Sequence, residues 1–283
     1  MTPQAPLREV PGAGSPLSQS VLSGPSRQAL VLASFPTALY LSVGEHHEIL
    51  PVLASDALML PTAVRLSAPS RAMVWGWGVE PGDPVIVGRS EIRLPAWRVR
   101  LVRQWRPARV GAVHELAGSA LLSEIADTLS CQASSAALVE QATAVCRAAR
   151  CGDRGGVRRA VRRLLGAGKG LTPSGDDVLC AVLLVLNGVG EPAPITLLGG
   201  AVQDHWSSTT SLSASLLDAA RAGYAVPEVA ALVEYSLRGD LTGALRALPS
   251  TLDIGSSSGT DLVAGLAGAL RALAMSSSPI PTR

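Results

Sequence analysis

The sequence has 283 residues, of which 47% are hydrophobic and 16% charged, and its formal net charge is +2. This length allows one large domain or two smaller ones, and this hydrophobic content excludes wholesale disorder. We expect no nucleic-acid partner, because the basic residues are dispersed rather than concentrated in one stripe. The densest basic stretch is interpreted as a solvated strand-and-loop face, with arginines at Arg98, Arg100, Arg103, Arg106 and Arg109.

In chain order, residues 1–26 are rich in Pro, Gly and Ser, which predicts a flexible tail. Residues 27–110 predict a β-rich domain, because short apolar runs alternate there with Pro and Gly. The runs lie at 29–34, 38–43, 49–60, 63–66, 72–77, 85–87, 92–94 and 99–102. Short strands with this punctuation predict a small antiparallel β-sheet or barrel.

Residues 111–275 predict an α-helical domain, because their apolar residues recur at helical spacing. The predicted helices span 113–129, 134–150, 157–165, 177–187, 210–222, 227–238, 241–248 and 261–275. Residues 276–283 predict a second flexible tail. The sequence therefore predicts an α+β protein, with the N-terminal sheet or barrel packed on a larger C-terminal helical part.

Segments that would place the chain in a membrane or outside the cell are not apparent. The most apolar run, residues 178–186, is shorter than the roughly 20 residues that span a bilayer, and no signal segment is visible. Cys131, Cys146, Cys151 and Cys180 lack metal-ligand spacing and are interpreted as small buried thiols. We therefore expect a cytoplasmic protein without a membrane partner.

A glycine-rich loop at residues 166–177, with the sequence GAGKGLTPSGDD, carries the strongest functional signal. Glycines can turn backbone N–H groups towards one point, and the helix that follows adds free N–H groups and partial positive charge. The loop therefore predicts a site for a small phosphate or carboxylate. Lys169 is the chain's one lysine, and we predict that it is catalytic, since an ammonium suits a phosphate or a developing oxyanion. The alternative is an exposed lysine in a tight turn.

Two adjacent aspartates close this loop, and we predict that Asp176 and Asp177 are catalytic as well. Each could cap the helix or face the ligand, and spacing alone does not say which does what. Asp177 is also a possible Mg²⁺ ligand, the one cofactor that the sequence indicates. Predicted ligand contacts in the loop are Gly168, Gly170, Thr172, Ser174 and Gly175.

The pattern Ser-Gly-x-Asp occurs again at residues 258–261, before another apolar helix. Two such loops could face each other across one pocket, although Ser-Gly-x-Asp is also simply a good helix start. A hydroxyl-rich segment lies between the two copies. Further predicted ligand contacts are Thr209, Thr210, Ser257, Ser258, Gly259 and Asp261. Because no Ser-His-Asp or Cys-His arrangement can be assembled, we predict no covalent nucleophile.

The motifs at residues 170–177, 209–213 and 255–261, in this order, resemble the AllH-type subunit of oxamate carbamoyltransferase over roughly residues 30–275. The resemblance implies partner subunits and a small anionic substrate, such as carbamoyl phosphate or oxamate. It also implies a role in anaerobic purine (allantoin) breakdown, where oxamate plus carbamoyl phosphate is interconverted with oxalurate plus phosphate. Ser256 stands where the family pattern is expected to have His, which argues against an acid–base role there.

Two alternatives to a transferase subunit stay open at this point. A non-catalytic regulatory subunit could sense a nucleotide or small anion, with Asp176, Asp177 and Asp261 organising a metal–ligand complex. A structural subunit could use the same loops only to pack its helices.

Overall fold

The chain divides into two structural units, with the boundary between Pro107 and Ala108. The computed structural model describes residues 8–44, 48–72 and 76–276. Within those residues the first unit is built of β-strands and the second of α-helices. The predicted α+β class, with a β-rich front and a helical back, is confirmed.

The first unit is a closed barrel with the strand order β1-β5-β4-β3-β2-β6-β7-β8. Its strands are β1 (Arg8–Gly14), β2 (Arg27–Ser34), β3 (Ala38–Val43), β4 (Glu48–Leu53), β5 (Val64–Leu66), β6 (Pro84–Gly88), β7 (Glu91–Arg93) and β8 (Trp97–Gln104). Inward side chains such as Leu39, Leu41, Leu50 and Val52 are fully buried and fill the interior. The barrel is not wholly antiparallel, because β1 pairs in parallel with β8 and β4 with β5.

The N-terminal segment is part of this barrel, so the predicted flexible tail is wrong for residues 8–26. Strand β1 pairs with both β5 and β8, and without it the barrel would have two open edges. A short helix, α1 (Gln19–Ser23), follows and buries Val21 and Leu22. Hydroxyl groups fix the turn between them, since Ser15 Oγ donates to Pro61 O and Ser18 Oγ donates to Thr62 O, each at 2.6 Å. The remaining predicted tail residues, 1–7 and 277–283, lie outside the described residues.

Two predicted strands were also wrong in extent. Strand β4 ends at Leu53 rather than at residue 60, and Ser70–Ala72 is a 3-10 turn where a strand was predicted from residue 72. Residues 73–75 of that prediction lie outside the described part. Trp77 shows the reason: its indole is buried and donates to Phe35 O at 2.7 Å, without strand pairing. The apolar side chain of Trp77 therefore reflects burial and not strand pairing.

The second unit is helical, with α5 and α10 as its most buried elements. Its helices are α2 (Ser119–Ser130), α3 (Ala136–Arg150), α4 (Arg154–Leu164), α5 (Ser174–Val189), α6 (Pro192–Gln203), α7 (Ser211–Arg221), α8 (Pro227–Arg238), α9 (Leu241–Leu252) and α10 (Ser258–Ser276). Helix α6 was not predicted, because its Pro and Gly residues hid the helical period. Within the described ranges, no helix has both the length and the apolar character needed to cross a membrane.

Helices α5 and α10 pack closely side by side. Gly265 of α10 lies directly against Val178 and Ala181 of α5, where any side chain would overlap. The first residues of the two helices also meet, so the N-terminal ends of α5 and α10 lie together. Among the cysteines, Cys146 and Cys180 are buried as expected, whereas Cys131 and Cys151 are exposed.

Candidate functional site

The two Ser-Gly-x-Asp motifs meet in the structure. Thr172 lies just before α5 and Ser258 begins α10, and their hydroxyl oxygens are 2.8 Å apart in a hydrogen bond. Two segments separated by 86 residues in sequence are thereby joined at one point. Whatever binds there meets both helix starts at once.

The glycine of each motif lies against the end of the preceding helix. A side-chain carbon at Gly175 would overlap the carbonyl oxygen of Leu164 in α4, and one at Gly259 would overlap that of Thr251 in α9. Each glycine N–H also donates to the loop before it, Gly175 to Ala167 O and Gly259 to Ile254 O, both at 2.9 Å. The repeated glycine is therefore required by packing, whether or not a ligand binds.

Both carboxylate oxygens of Asp176 accept hydrogen bonds from within the protein. It is 1% exposed, its Oδ1 accepts from the Gly166 N–H at 2.8 Å, and its Oδ2 accepts from the Thr209 hydroxyl. It does not cap α5, whose N-cap is Pro173, without a side-chain cap bond. Because both carboxylate oxygens are used, Asp176 holds the glycine-rich loop and the segment before α7 against the start of α5.

Asp177 has one oxygen with no hydrogen-bond partner among the described residues, its Oδ2, although the residue is only 6% exposed. Burial raises the pKa of Asp177 to about 8, and the hydrogen bond from Ser258 offsets part of that rise. The nearby carboxylates of Asp261 and Asp176 raise the Asp177 pKa further. Near neutral pH its carboxyl group is therefore protonated, unless a cation takes the proton's place.

Asp261 occupies the equivalent position on α10 and is also buried. It is 1% exposed, its Oδ1 accepts from the Ser134 hydroxyl, and its Oδ2 is without a partner within the described ranges. Sequence reasoning missed Ser134, which lies between α2 and α3 in no recognisable motif. Its proximity to Asp261 arises from the packing of α2 and α3 against α10.

Backbone N–H groups at the start of α5 are already used within the chain. Gly175 donates to Ala167 O, while Asp176 and Asp177 donate to Pro173 O at 2.9 and 3.3 Å. The N–H groups of residues 175–177 are thus occupied, whereas those of residues 168–172 in the glycine loop have no partner among the described residues. At the start of α5 itself, ligand contacts would come mainly from side chains.

The glycine loop itself is exposed. Lys169 is exposed and makes no hydrogen bond or ion pair with the residues that the structure describes. Gly168 lies against the first residue of α5, its would-be Cβ 2.5 Å from Ser174 N, whereas Gly170 faces open space. Ser257 is exposed too, and its carbonyl accepts from the Thr260 hydroxyl at 2.7 Å.

The hydroxyls predicted between the two motifs serve as internal ties. Thr209 binds Asp176, and Thr210 Oγ1 donates to Leu171 O at 2.5 Å while accepting from Ser213 N at 3.1 Å. Thr210 is therefore the N-cap of α7 and anchors the loop before α5. The structure places both threonines beside the site but leaves neither hydroxyl free in this arrangement.

These contacts define a helical unit with a polar site enclosed between two helix starts, in which two aspartates keep unused oxygens. No group of three or more His, Cys, Asp or Glu side chains in the described ranges is placed to hold a metal ion by itself.

The same segment is what connects the chain with known proteins. Residues 164–270 match the family model described as oxamate carbamoyltransferase subunit AllH. The resemblance predicted from the motifs is confirmed over this segment, which contains both helix starts and all three motifs but not the barrel. No solved structure matches the chain.

Proposed function

We propose that the chain is a subunit of an oxamate carbamoyltransferase-like enzyme, and that its α5–α10 site binds a small phosphate or carboxylate such as carbamoyl phosphate or oxamate. The family match supports the first part, since it spans both helix starts. One observation carries the second part: the buried, unpartnered oxygens of Asp177 and Asp261 beside the Thr172–Ser258 hydroxyl pair. Buried polar groups without a partner are uncommon, and water, an ion or a ligand commonly satisfies them.

An anion is compatible with these aspartates for an electrostatic reason. Without a bound cation, a carboxyl group with a pKa of about 8 is mostly protonated at neutral pH, so Asp177 can donate a hydrogen bond to an anionic oxygen instead of repelling it. The hydroxyls of Thr172 and Ser258 can reorient to donate as well. Lys169 would supply the positive charge from the exposed loop.

The proposed reaction transfers a carbamoyl group. The amide nitrogen of oxamate attacks the carbonyl carbon of carbamoyl phosphate, the bond from that carbon to the phosphate oxygen breaks, and phosphate leaves with the electron pair. The nitrogen loses one proton, which the leaving phosphate accepts. Positive charge near the carbonyl oxygen and the leaving phosphate lowers the barrier, which is the role we assign to Lys169. Partner subunits complete the enzyme in this proposal.

Phosphate release tests this role directly. With partner subunits present, turnover of carbamoyl phosphate and oxamate should fall about 100-fold or more in Lys169→Ala. Arg246→Ala is the control, since Arg246 is an exposed cation on α9 outside the site. Unchanged turnover in Lys169→Ala would remove this lysine from the mechanism.

A second candidate is a non-catalytic subunit that binds a nucleotide or small anion for regulation. The acidic pair Asp177 and Asp261 favours it, since phosphate chains often reach proteins through a metal held by one or two carboxylates. Calorimetry with ATP plus Mg²⁺, with carbamoyl phosphate and with oxamate separates the two functions. Tight nucleotide binding without binding of carbamoyl phosphate would favour regulation.

A further inference from the structure

Two buried aspartates lie at the starts of the packed helices α5 and α10, where the charge of one acts on the other. Asp177 and Asp261 stand at the same position of their motifs, and each keeps one oxygen unpartnered. The charge on Asp261 acts on Asp177 and disfavours ionisation of its carboxyl group. No ion pair within the described ranges involves either residue. A buried carboxylate pair of this kind is costly unless something neutralises it.

The groups around Asp177 and Asp261 limit which kind of ligand could neutralise the two carboxylates. Asp176 is excluded as a ligand, because both its oxygens already accept hydrogen bonds. Burial raises the pKa of the Cys180 thiol, three residues beyond Asp177 on α5, well above its usual value, so it stays protonated. The side chains that hydrogen-bond to the pair are hydroxyls, Ser134 on Asp261 and Ser258 on Asp177. A site lined by carboxylate and hydroxyl oxygens suits a hard cation.

We propose that Asp177 and Asp261 together hold one divalent cation of the Mg²⁺ or Mn²⁺ type between the starts of α5 and α10. Two carboxylates balance its charge, and water or an anionic ligand completes its coordination. Such a cation typically takes only one or two carboxylates from the protein, together with phosphate oxygens. The inference rests on the proposed function to the extent that the cation would lie where the anion binds.

Mn²⁺ alone is the probe, because its binding can be followed without any substrate. Titration of the full-length chain, monitored by electron paramagnetic resonance, should show one saturable Mn²⁺ per chain. Asp177→Asn and Asp261→Asn should each weaken that binding about tenfold or more. The control is Asp240→Asn, since Asp240 caps α9 through Gly243 N–H and lies outside the site. Equal binding in wild type and in the double variant Asp177→Asn/Asp261→Asn would overturn the proposal, as would the absence of saturable binding.

Thermal unfolding in the absence of metal shows whether the double variant is still folded. The double variant should be folded and at least as stable as the wild type at pH 8, because amides remove the mutual repulsion. Loss of Mn²⁺ binding then reports a lost ligand and not a lost fold. If Mn²⁺ binds but carbamoyl phosphate does not, the cation site stands and the proposed function fails. If carbamoyl phosphate binds without any metal, the cation proposal fails and a proton is what neutralises Asp177.

Discussion

The starts of α5 and α10 share a motif but use its third residue differently. In α10 that residue is Thr260, whose hydroxyl closes onto Ser257 in its own short loop. In α5 it is Asp176, which reaches out to Gly166 and Thr209 and holds two other segments. The loop before α5 is longer and carries the exposed Lys169. The comparison teaches that Asp176 serves to position that loop, whereas the fourth residue, Asp177 or Asp261, keeps one buried oxygen without a partner among the described residues in both copies.

The glycines are what the two starts have most strictly in common, and changing them should have the largest effect. Gly175→Ala and Gly259→Ala each force a side-chain carbon into a backbone carbonyl that cannot move freely. We expect each to lower the free energy of unfolding by about 3–4 kcal/mol, as overpacking against rigid backbone does. Urea unfolding followed by far-ultraviolet circular dichroism, which the helical unit dominates, measures this.

The matched control for that pair is Gly200→Ala in α6. Gly200 has open space around its would-be Cβ, and alanine favours a helix interior. We expect it to be neutral or to stabilise by about 0.5–1 kcal/mol. A neutral Gly259→Ala would show that the two helix starts are not packed alike.

Asp177 should make the free energy of unfolding depend on pH. Its pKa is raised to about 8 in the folded chain but lies near 4 when unfolded, so the folded state binds the extra proton between those values. Stability should therefore fall as pH rises from about 4 to about 8, by up to about 1.4 kcal/mol per pH unit, and level off above.

Subtracting the unfolding profile of Asp177→Asn from that of the wild type isolates this contribution. The variant should lose the slope assigned to Asp177 and gain stability at pH 8 relative to the wild type. Identical profiles for the two proteins would mean that the Asp177 pKa is not raised.

Asp176→Asn should destabilise the folded chain, whereas Asp177→Asn should stabilise it at pH 8. One amide group cannot replace two accepting oxygens, so either Gly166 N–H or the Thr209 hydroxyl loses its partner. We expect a loss of about 1–3 kcal/mol in the free energy of unfolding. Limited proteolysis should also cut the chain faster within residues 165–171. Unchanged cleavage there would contradict the positioning role.

The smallest effect is expected at the bridge between the two starts. Thr172→Val removes one side of a single hydrogen bond, at a cost of about 0.5–1.5 kcal/mol, whereas Ser258→Ala should cost more because it also removes the hydrogen bond from Ser258 to Asp177. In a double-mutant cycle by chemical denaturation, the double variant should cost less than the sum of the two single variants. Strict additivity would show that the two hydroxyls do not interact in solution.

Local sequence signals predicted an element well where apolar spacing and terminal residues indicated the same structure. Helix α8 was predicted at residues 227–238 and begins and ends there, because Pro227 suits its first turn and Gly239 adopts the left-handed conformation after it. The starts of α5 and α10 were each predicted three residues late. The signals failed for β1 and α6, because both contain Pro and Gly residues, which usually indicate loops. Packing and pairing with neighbouring elements stabilise these two segments as a strand and a helix.

The site divides along the same line. The sequence by itself determined that two Ser-Gly-x-Asp motifs precede apolar helices, and it carried the resemblance that the family match supports over residues 164–270. Only the tertiary structure decided which aspartate clamps a loop and which keeps a free oxygen, and it alone brought Ser134 to Asp261. The physical reason is that a motif specifies the backbone around its own residues, whereas a carboxylate's partners come from wherever packing places them.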